Sequence, residues 1–131
     1  MEKSKRWQIL AVDDDPVIRQ ILNTVLSRDY ELLLLSSGEN LRPLLDGFSP
    51  DLVILDVRMP GVSGLDVCRS IRSISAYDGI PVLFLSSAYE GRDLQNGIQS
   101  GADYYMAKPF HAAELRRVVA ACIERKLSKK D

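Results

Sequence analysis

The sequence has few cysteines, no long apolar run and almost no net charge. Its 131 residues include two cysteines, one histidine and one tryptophan, and no apolar run approaches the roughly 20 residues of a membrane-spanning helix. Two cysteines cannot build a disulfide framework, so we expect a protein of the reducing cytoplasm with no membrane partner. Seventeen basic and eighteen acidic residues leave a formal net charge of −1, which provides no general attraction for nucleic acid.

The apolar residues alternate between strand and helix patterns five times along the chain. The predicted strands are Gln8–Asp13, Tyr30–Leu35, Leu52–Asp56, Pro81–Leu85 and Asp103–Ala107. The predicted helices run from Pro16 to about Arg28, from about Glu39 to Phe48, from Arg92 to Ser100 and from Ala112 to about Lys126. A further helix, the third along the chain, is predicted after Ser63, which can serve as its cap. Five such units predict a parallel sheet with helices on both faces. We expect one domain over residues 1–131, with its core at about 7–127.

Local signals refine this pattern. Asp15 followed by Pro16 is typical of a helix N-cap and the first helical position. Cys68 and Cys122 lie on apolar stripes of predicted helices, where we expect buried free thiols. Gly97 lies inside the fourth predicted helix, which has few large apolar residues, so this helix should be the least stable.

Polar residues stand at the ends of four predicted strands. Asp13 and Asp14 close the first strand, Asp56 the third and Ser86 the fourth, and Lys108 follows the fifth. The carboxyl ends of parallel strands line one crevice, which is where ligands bind in open α/β sheets. We therefore expect these acids, the hydroxyl and the ammonium group to meet.

Such a cluster favours a divalent cation. Two carboxylates about 5 Å apart repel by roughly 3 kcal/mol at an effective dielectric near 20. Oxygen ligands without cysteine or histidine favour Mg²⁺ or Ca²⁺ over zinc, and the nearby lysine favours Mg²⁺ shared with a phosphate. Phosphoryl transfer uses a nucleophile, a divalent cation and a positive side chain in this combination. An ionised Asp56 at the end of a buried strand would be costly without such a function.

Four segments resemble the signatures of response-regulator receiver domains of two-component signalling. They are AVDDDP, VILDVRMPG, LFLSS and YYMAKPF, and the resemblance extends from about Trp7 to Leu127. It implies a flavodoxin-like, doubly wound (βα)5 fold with a parallel five-stranded sheet of order 2-1-3-4-5, as in chemotaxis receivers.

The resemblance also implies the site residues around the acceptor. Asp56 is expected to be the phospho-acceptor. Mg²⁺ is expected on Asp14, Asp56 and the backbone carbonyl of Arg58, with Asp13 acting through water.

The remaining roles follow the same resemblance. Lys108 would pair with the phosphoryl oxygens, and Ser86 would donate a hydrogen bond to one of them. Tyr105 matches the aromatic switch position, and the Lys108–Pro109 bond is expected to be cis. His111 stands where an acidic or polar helix cap is usual, which could weaken the start of the fifth helix.

The function implied is that of a phosphoprotein and not of an enzyme with an external substrate. A sensor histidine kinase or histidine phosphotransfer protein would donate the phosphoryl group to Asp56. Phosphorylation would then switch the face made of helix 4, strand 5 and helix 5, which could also form a homodimer. No direct contact of this chain with nucleic acid is expected.

Three alternative functions fit the sequence less well, and the main rival is an enzyme. The run from Asp13 to Val17 fits a DxDxV pattern that resembles the nucleophile motif of haloacid-dehalogenase-type phosphatases. That alternative leaves Asp56 unexplained. The chain also lacks an acidic pair after Lys108, which such a phosphatase would need to complete its metal site. A flavodoxin would need a hydroxyl-rich loop after the first strand, where this chain has acids. A degenerate receiver that serves only as a scaffold is disfavoured because every expected acid is present.

Overall fold

The centre of the computed structural model, which describes residues 6–86 and 101–129 (the last four as backbone alone), is a parallel sheet. Its five strands have the order 2-1-3-4-5, as the sequence predicts. They are β1 (Gln8–Val12), β2 (Glu31–Leu35), β3 (Leu52–Asp56), β4 (Val82–Ser86) and β5 (Tyr104–Ala107). Each strand end lies at its predicted residue or one residue away.

The described helices are α1 (Pro16–Leu26), α2 (Leu41–Phe48), α3 (Gly64–Arg72) and α4 (Ala112–Lys129), with a 3₁₀ turn at Ser75–Tyr77. The fourth predicted helix, 92–100, lies outside the described residues, so α4 corresponds to the fifth predicted helix. Among the helices that the structure describes, none is long and apolar enough to cross a membrane.

The helix starts follow their capping residues. Asp15 caps α1 because its Oδ1 accepts a hydrogen bond from the Val17 amide at 2.9 Å, as predicted. Ser63 caps α3 in the same way, accepting from the Asp66 amide at 3.1 Å. The prediction for α2 was two residues too long at its start, because Asn40 adopts a left-handed conformation with φ of 56°. A residue in that conformation cannot continue a right-handed helix.

The sheet separates two apolar cores. Ile9 and Ala11 of β1 face α1 and α4, whereas Leu10 and Val12 face α2 and α3. This alternation is the two-residue period of a strand that is covered on both faces. Cys122 is buried in the first core and Cys68 in the second, and neither forms a disulfide. Both thiols are therefore buried, as the helical stripes predicted.

A half-buried ionic network, which the sequence did not reveal, ties the amino-terminal ends of β4 and β5 to two helices. Arg72 at the end of α3 donates Nη2 to Asp103 Oδ2 at 2.8 Å and to the Gly101 carbonyl at 2.7 Å. Asp103 Oδ2 also accepts from the Val82 amide at 2.9 Å. Arg125 of α4 lies 3.3 Å from the other Asp103 oxygen. Opposite the crevice, the sheet is thus held by charge as well as by apolar packing.

Candidate functional site

The carboxyl ends of four strands bring the predicted site residues together. Asp13 directly follows β1, Asp56 and Ser86 end β3 and β4, and Lys108 directly follows β5. Relative exposure is 0% for Asp13, 6% for Asp56 and 1% for Ser86. Because the parallel register aligns the strand ends, with Asp56 beside Leu85, these residues share one crevice.

Lys108 links two buried carboxylates. Its Nζ donates to Asp13 Oδ2 at 2.8 Å and lies 3.4 Å from Asp56 Oδ1. The Lys108 amide donates to the Ser86 carbonyl at 2.6 Å, which anchors the base of the lysine beside β4. A buried ion pair needs such close geometry to offset its desolvation. One ammonium group therefore balances Asp13 closely and Asp56 only in part.

A third carboxylate completes an acidic cluster. Side-chain oxygens of Asp13, Asp14 and Asp56 lie within 4.8 Å of one another, with Asp14 exposed and the other two buried. A cavity of about 430 Å³ opens over Asp14 and Asp56. Its walls consist of Asp14, Asp15, Pro16, Asp56, Arg58, Ser86 and Lys108. Carboxylate oxygens in this arrangement suit a hard divalent cation.

Charge in the cluster is unevenly balanced. Burial first, and the negative charge of Asp13 second, raise the pKa of Asp56 to about 6 despite the attraction of Lys108. Burial lowers the pKa of Lys108, but its hydrogen bond to Asp13 and the charges of Asp56 and Asp13 raise it above its ordinary value overall. The lysine therefore stays protonated while the carboxylates retain excess negative charge. A cation bound by oxygen ligands would relieve that excess.

Asp13 is fixed by contacts that the sequence analysis missed. The Asp15 amide donates to Asp13 Oδ1 at 2.9 Å, and Arg19 donates Nη1 to the Asp13 backbone carbonyl at 2.8 Å. With Lys108 on Oδ2, both carboxylate oxygens of Asp13 accept hydrogen bonds. The only signal for Arg19 in the sequence is a basic residue one turn into a helix that begins beside three acids.

Tyr105 lies on β5 and packs against the core that contains α2 and α3. Its hydroxyl is buried and has no hydrogen-bond partner within residues 6–86 and 101–129. The Lys108–Pro109 peptide is cis, as expected. His111 is exposed, directly before the first residue of α4.

An acidic crevice at the carboxyl end of a sheet of this order defines a receiver-like α/β protein. The family model of the response regulator receiver domain matches residues 9–120 of the sequence, and the chain belongs to this family. It therefore has the fold of the signalling domain of two-component response regulators.

Individual relatives agree with the family match. The DNA-binding response regulator MtrA of Mycolicibacterium smegmatis is 37% identical over 121 residues, which are 92% of this chain and 52% of MtrA. This chain thus spans about half the length of that curated relative. A putative response regulator from Chloroflexus aurantiacus has a similar structure, with a TM-score of 0.86 and 31% identity over 92% of this chain and 99% of that one. The BeF3-activated DrrB receiver domain has a TM-score of 0.81 and 29% identity, over 91% of this chain and 98% of that one.

The geometry offers little support for the phosphatase alternative. That alternative needs Asp13 as the nucleophile, yet Asp13 is fully buried and both of its oxygens accept hydrogen bonds. A nucleophile must present an oxygen to its substrate. Asp56, which lines the cavity, is better placed for that role.

Proposed function

We propose that this chain accepts a phosphoryl group on Asp56 and that phosphorylation switches an output partner or domain. The observation that carries the proposal is the meeting of Asp56 and Lys108 at the cavity wall with the carboxylate of Asp14 and the buried carboxylate of Asp13. Lys108 offsets only part of the cost of burying an ionised Asp56 beside Asp13, and a carboxylate with such a raised pKa in a cleft is typical of a functional site.

The transfer itself forms one bond and breaks one. An Asp56 carboxylate oxygen attacks the phosphorus of a phosphohistidine, and a P–O bond forms as the P–N bond breaks. The electron pair of the broken bond goes to the donor imidazole, which takes up a proton from water. Lys108, 3.4 Å from Asp56 Oδ1, holds positive charge beside the transferred oxygens. The donor in this proposal is a sensor histidine kinase or a histidine phosphotransfer protein.

Mg²⁺ is the cofactor proposed for this site. Asp14, Asp56 and the backbone carbonyl of Arg58 would hold it directly, and Asp13, whose oxygens are already hydrogen-bonded, would act through water. When bound, Mg²⁺ neutralises negative charge on the phosphoryl oxygens. The all-oxygen donor set and the raised pKa of Asp56 support this choice.

The response to phosphorylation is proposed to begin at Ser86 and Tyr105. The Ser86 hydroxyl would donate to a phosphoryl oxygen and draw the end of β4 toward the acceptor. The buried Tyr105 hydroxyl, which lacks a partner among the described residues, would gain one in the phosphorylated state. Phosphorylation would thereby shift an existing equilibrium of the face formed by the fourth predicted helix, β5 and α4.

The consequences outside the site are also proposals. The chain promotes only transfer to Asp56 and hydrolysis from it, and it acts as a single receiver domain in the cytoplasm without contacting nucleic acid itself. The face that contains β5 and α4 forms a homodimer when phosphorylated. Sedimentation with and without beryllofluoride tests this point, and an unchanged mass would exclude the dimer.

Intact-mass measurement after incubation with acetyl phosphate and Mg²⁺ tests the central proposal. We expect a gain of one phosphoryl group in the wild type and in the exposed control Asp66→Asn, and none in Asp56→Asn or in EDTA. Labelling of Asp56→Asn would move the acceptor to another residue. Consumption of acetyl phosphate without any labelled protein would revive the phosphatase alternative.

A further inference from the structure

The first residue of α3 lies directly against the backbone of Asp56. A Cβ atom built on Gly64 would lie 2.0 Å from the Asp56 carbonyl oxygen and 2.9 Å from its carbonyl carbon. Both are backbone atoms, so no side-chain rotation could relieve the overlap. Any residue other than glycine must therefore displace α3 or the end of β3.

Both neighbours of this contact are firmly packed. α3 buries Val67, Cys68 and Ile71, each at most 2% exposed. At the end of β3, Asp56 pairs with Leu85 of β4, and the Val57 amide donates to the Leu85 carbonyl at 3.0 Å. Since packed interiors adjust poorly to added atoms, part of the displacement must fall on Asp56.

The same contact closes the loop that carries Arg58. The Gly64 amide donates to the Val57 carbonyl at 3.1 Å, so the loop of residues 57–64 returns to its own starting point. Val57 and Met59 are buried within this loop, at 2% and 8% exposure. The position of Gly64 is thus tied to the Arg58 backbone as well as to Asp56.

We propose that Gly64 is a positioning residue for the phosphoryl-accepting site. The missing side chain lets α3 begin against the Asp56 carbonyl, which sets the place of the Asp56 carboxylate relative to Lys108 and of the Arg58 carbonyl at the cavity. The inference rests on the proposed function and deepens it.

The test compares Gly64→Ala with two other glycine substitutions. Gly38→Ala would place a Cβ 2.5 Å from a Val67 methyl group. This substitution therefore crowds α3 at Val67 and not at its contact with the Asp56 backbone. Gly61→Ala strains the same loop, since Gly61 has φ of +78°, but its nearest neighbour is a Glu39 oxygen at 3.4 Å. Mg²⁺ affinity is measured by calorimetry, and the acetyl phosphate reaction by intact mass, at a temperature where circular dichroism shows each variant folded.

We expect Gly64→Ala to lower the Mg²⁺ affinity and the rate of phosphorylation by acetyl phosphate, each by about tenfold to a hundredfold, because small misplacements of reacting groups cost that much. Both controls should lose thermal stability and keep affinities and rates close to those of the wild type. Wild-type behaviour of Gly64→Ala, or equal impairment of Gly61→Ala, would overturn the assignment. A wild type that neither binds Mg²⁺ nor gains a phosphoryl group would instead refute the proposed function, and this inference with it.

If Gly64→Ala does not fold, amide exchange in the wild type decides the question. A site coupled to Gly64 should slow exchange of the Gly64 amide by about tenfold when Mg²⁺ and beryllofluoride bind, because loading anchors both ends of the loop. Unchanged exchange of that amide on loading would show that Gly64 serves helix packing alone.

Discussion

The uneven charge around Asp56 has a measurable cost in the metal-free protein. Burial and the charge of Asp13 raise the pKa of Asp56 from 3.8 to about 6. Each pKa unit corresponds to about 1.4 kcal/mol, so ionised Asp56 destabilises the fold by about 3 kcal/mol. We therefore expect Asp56→Asn to be more stable than the wild type in EDTA at pH 7.5, by up to about 3 kcal/mol, or roughly 3 to 5 °C in Tm per kcal/mol.

The pH dependence fixes the sign of this effect. Because the folded pKa of Asp56 lies above the unfolded value, the destabilisation is complete above pH 6 and disappears as the pH falls below about 4. The advantage of Asp56→Asn in urea denaturation should therefore shrink through that window. Asp29→Asn, which removes an exposed carboxylate, is the matched control and should differ little in stability from the wild type at pH 7.5. Mg²⁺ should stabilise the wild type more than Asp56→Asn.

Two results would refute this reasoning. The first is an Asp56→Asn protein that is less stable than the wild type in EDTA at pH 7.5. The second is a stability difference that stays constant from pH 7.5 to pH 4, since ionisation of Asp56 could not then be its cause.

Three further substitutions test other contacts. Lys108→Met should lower the free energy of unfolding by about 3 kcal/mol at pH 7.5, because Asp13 stays buried without its cation. An unchanged stability in urea would show that the Lys108–Asp13 ion pair does not stabilise the fold. Arg72→Ala should lower the free energy of unfolding by about 3 kcal/mol, whereas Arg69→Ala, in an exposed pair on the same helix, should lower it by under about 1 kcal/mol. Equal losses would show that the burial of the Arg72–Asp103 pair does not determine its contribution. Tyr105→Phe should leave Tm unchanged or slightly higher, since the hydroxyl has no partner in the described part of the chain; a lower Tm would show that a partner exists.

The elements that could be predicted from sequence are those whose pattern is local. The LVILD run of β3 is apolar at every position before Asp56, as a strand covered on both faces requires. The caps at Asp15 and Ser63 involve neighbours two and three residues away, and both were predictable. The start of α2 was not, because the left-handed conformation of Asn40 has no unambiguous sequence signal.

Contacts between distant segments account for what the sequence did not show. Arg72 and Asp103 are 31 residues apart, and nothing in either segment specifies the other as its partner. Because the carboxyl ends of parallel strands line one crevice, the sequence predicted that the acids and Lys108 would meet there. It could not reveal that Asp13 would hold the lysine at 2.8 Å and Asp56 only at 3.4 Å. That difference depends on packing and burial, which no motif encodes.

The placement of one cysteine in each core gives the molecule two internal reporters of unfolding. Cys68 and Cys122 are both 0% exposed, and burial raises the pKa of the Cys122 thiol to about 12. A thiol reagent can therefore reach either residue only when its own layer of helices opens. Labelling rates for the two sites would show whether the α1–α4 layer and the α2–α3 layer separate from the sheet together or one before the other.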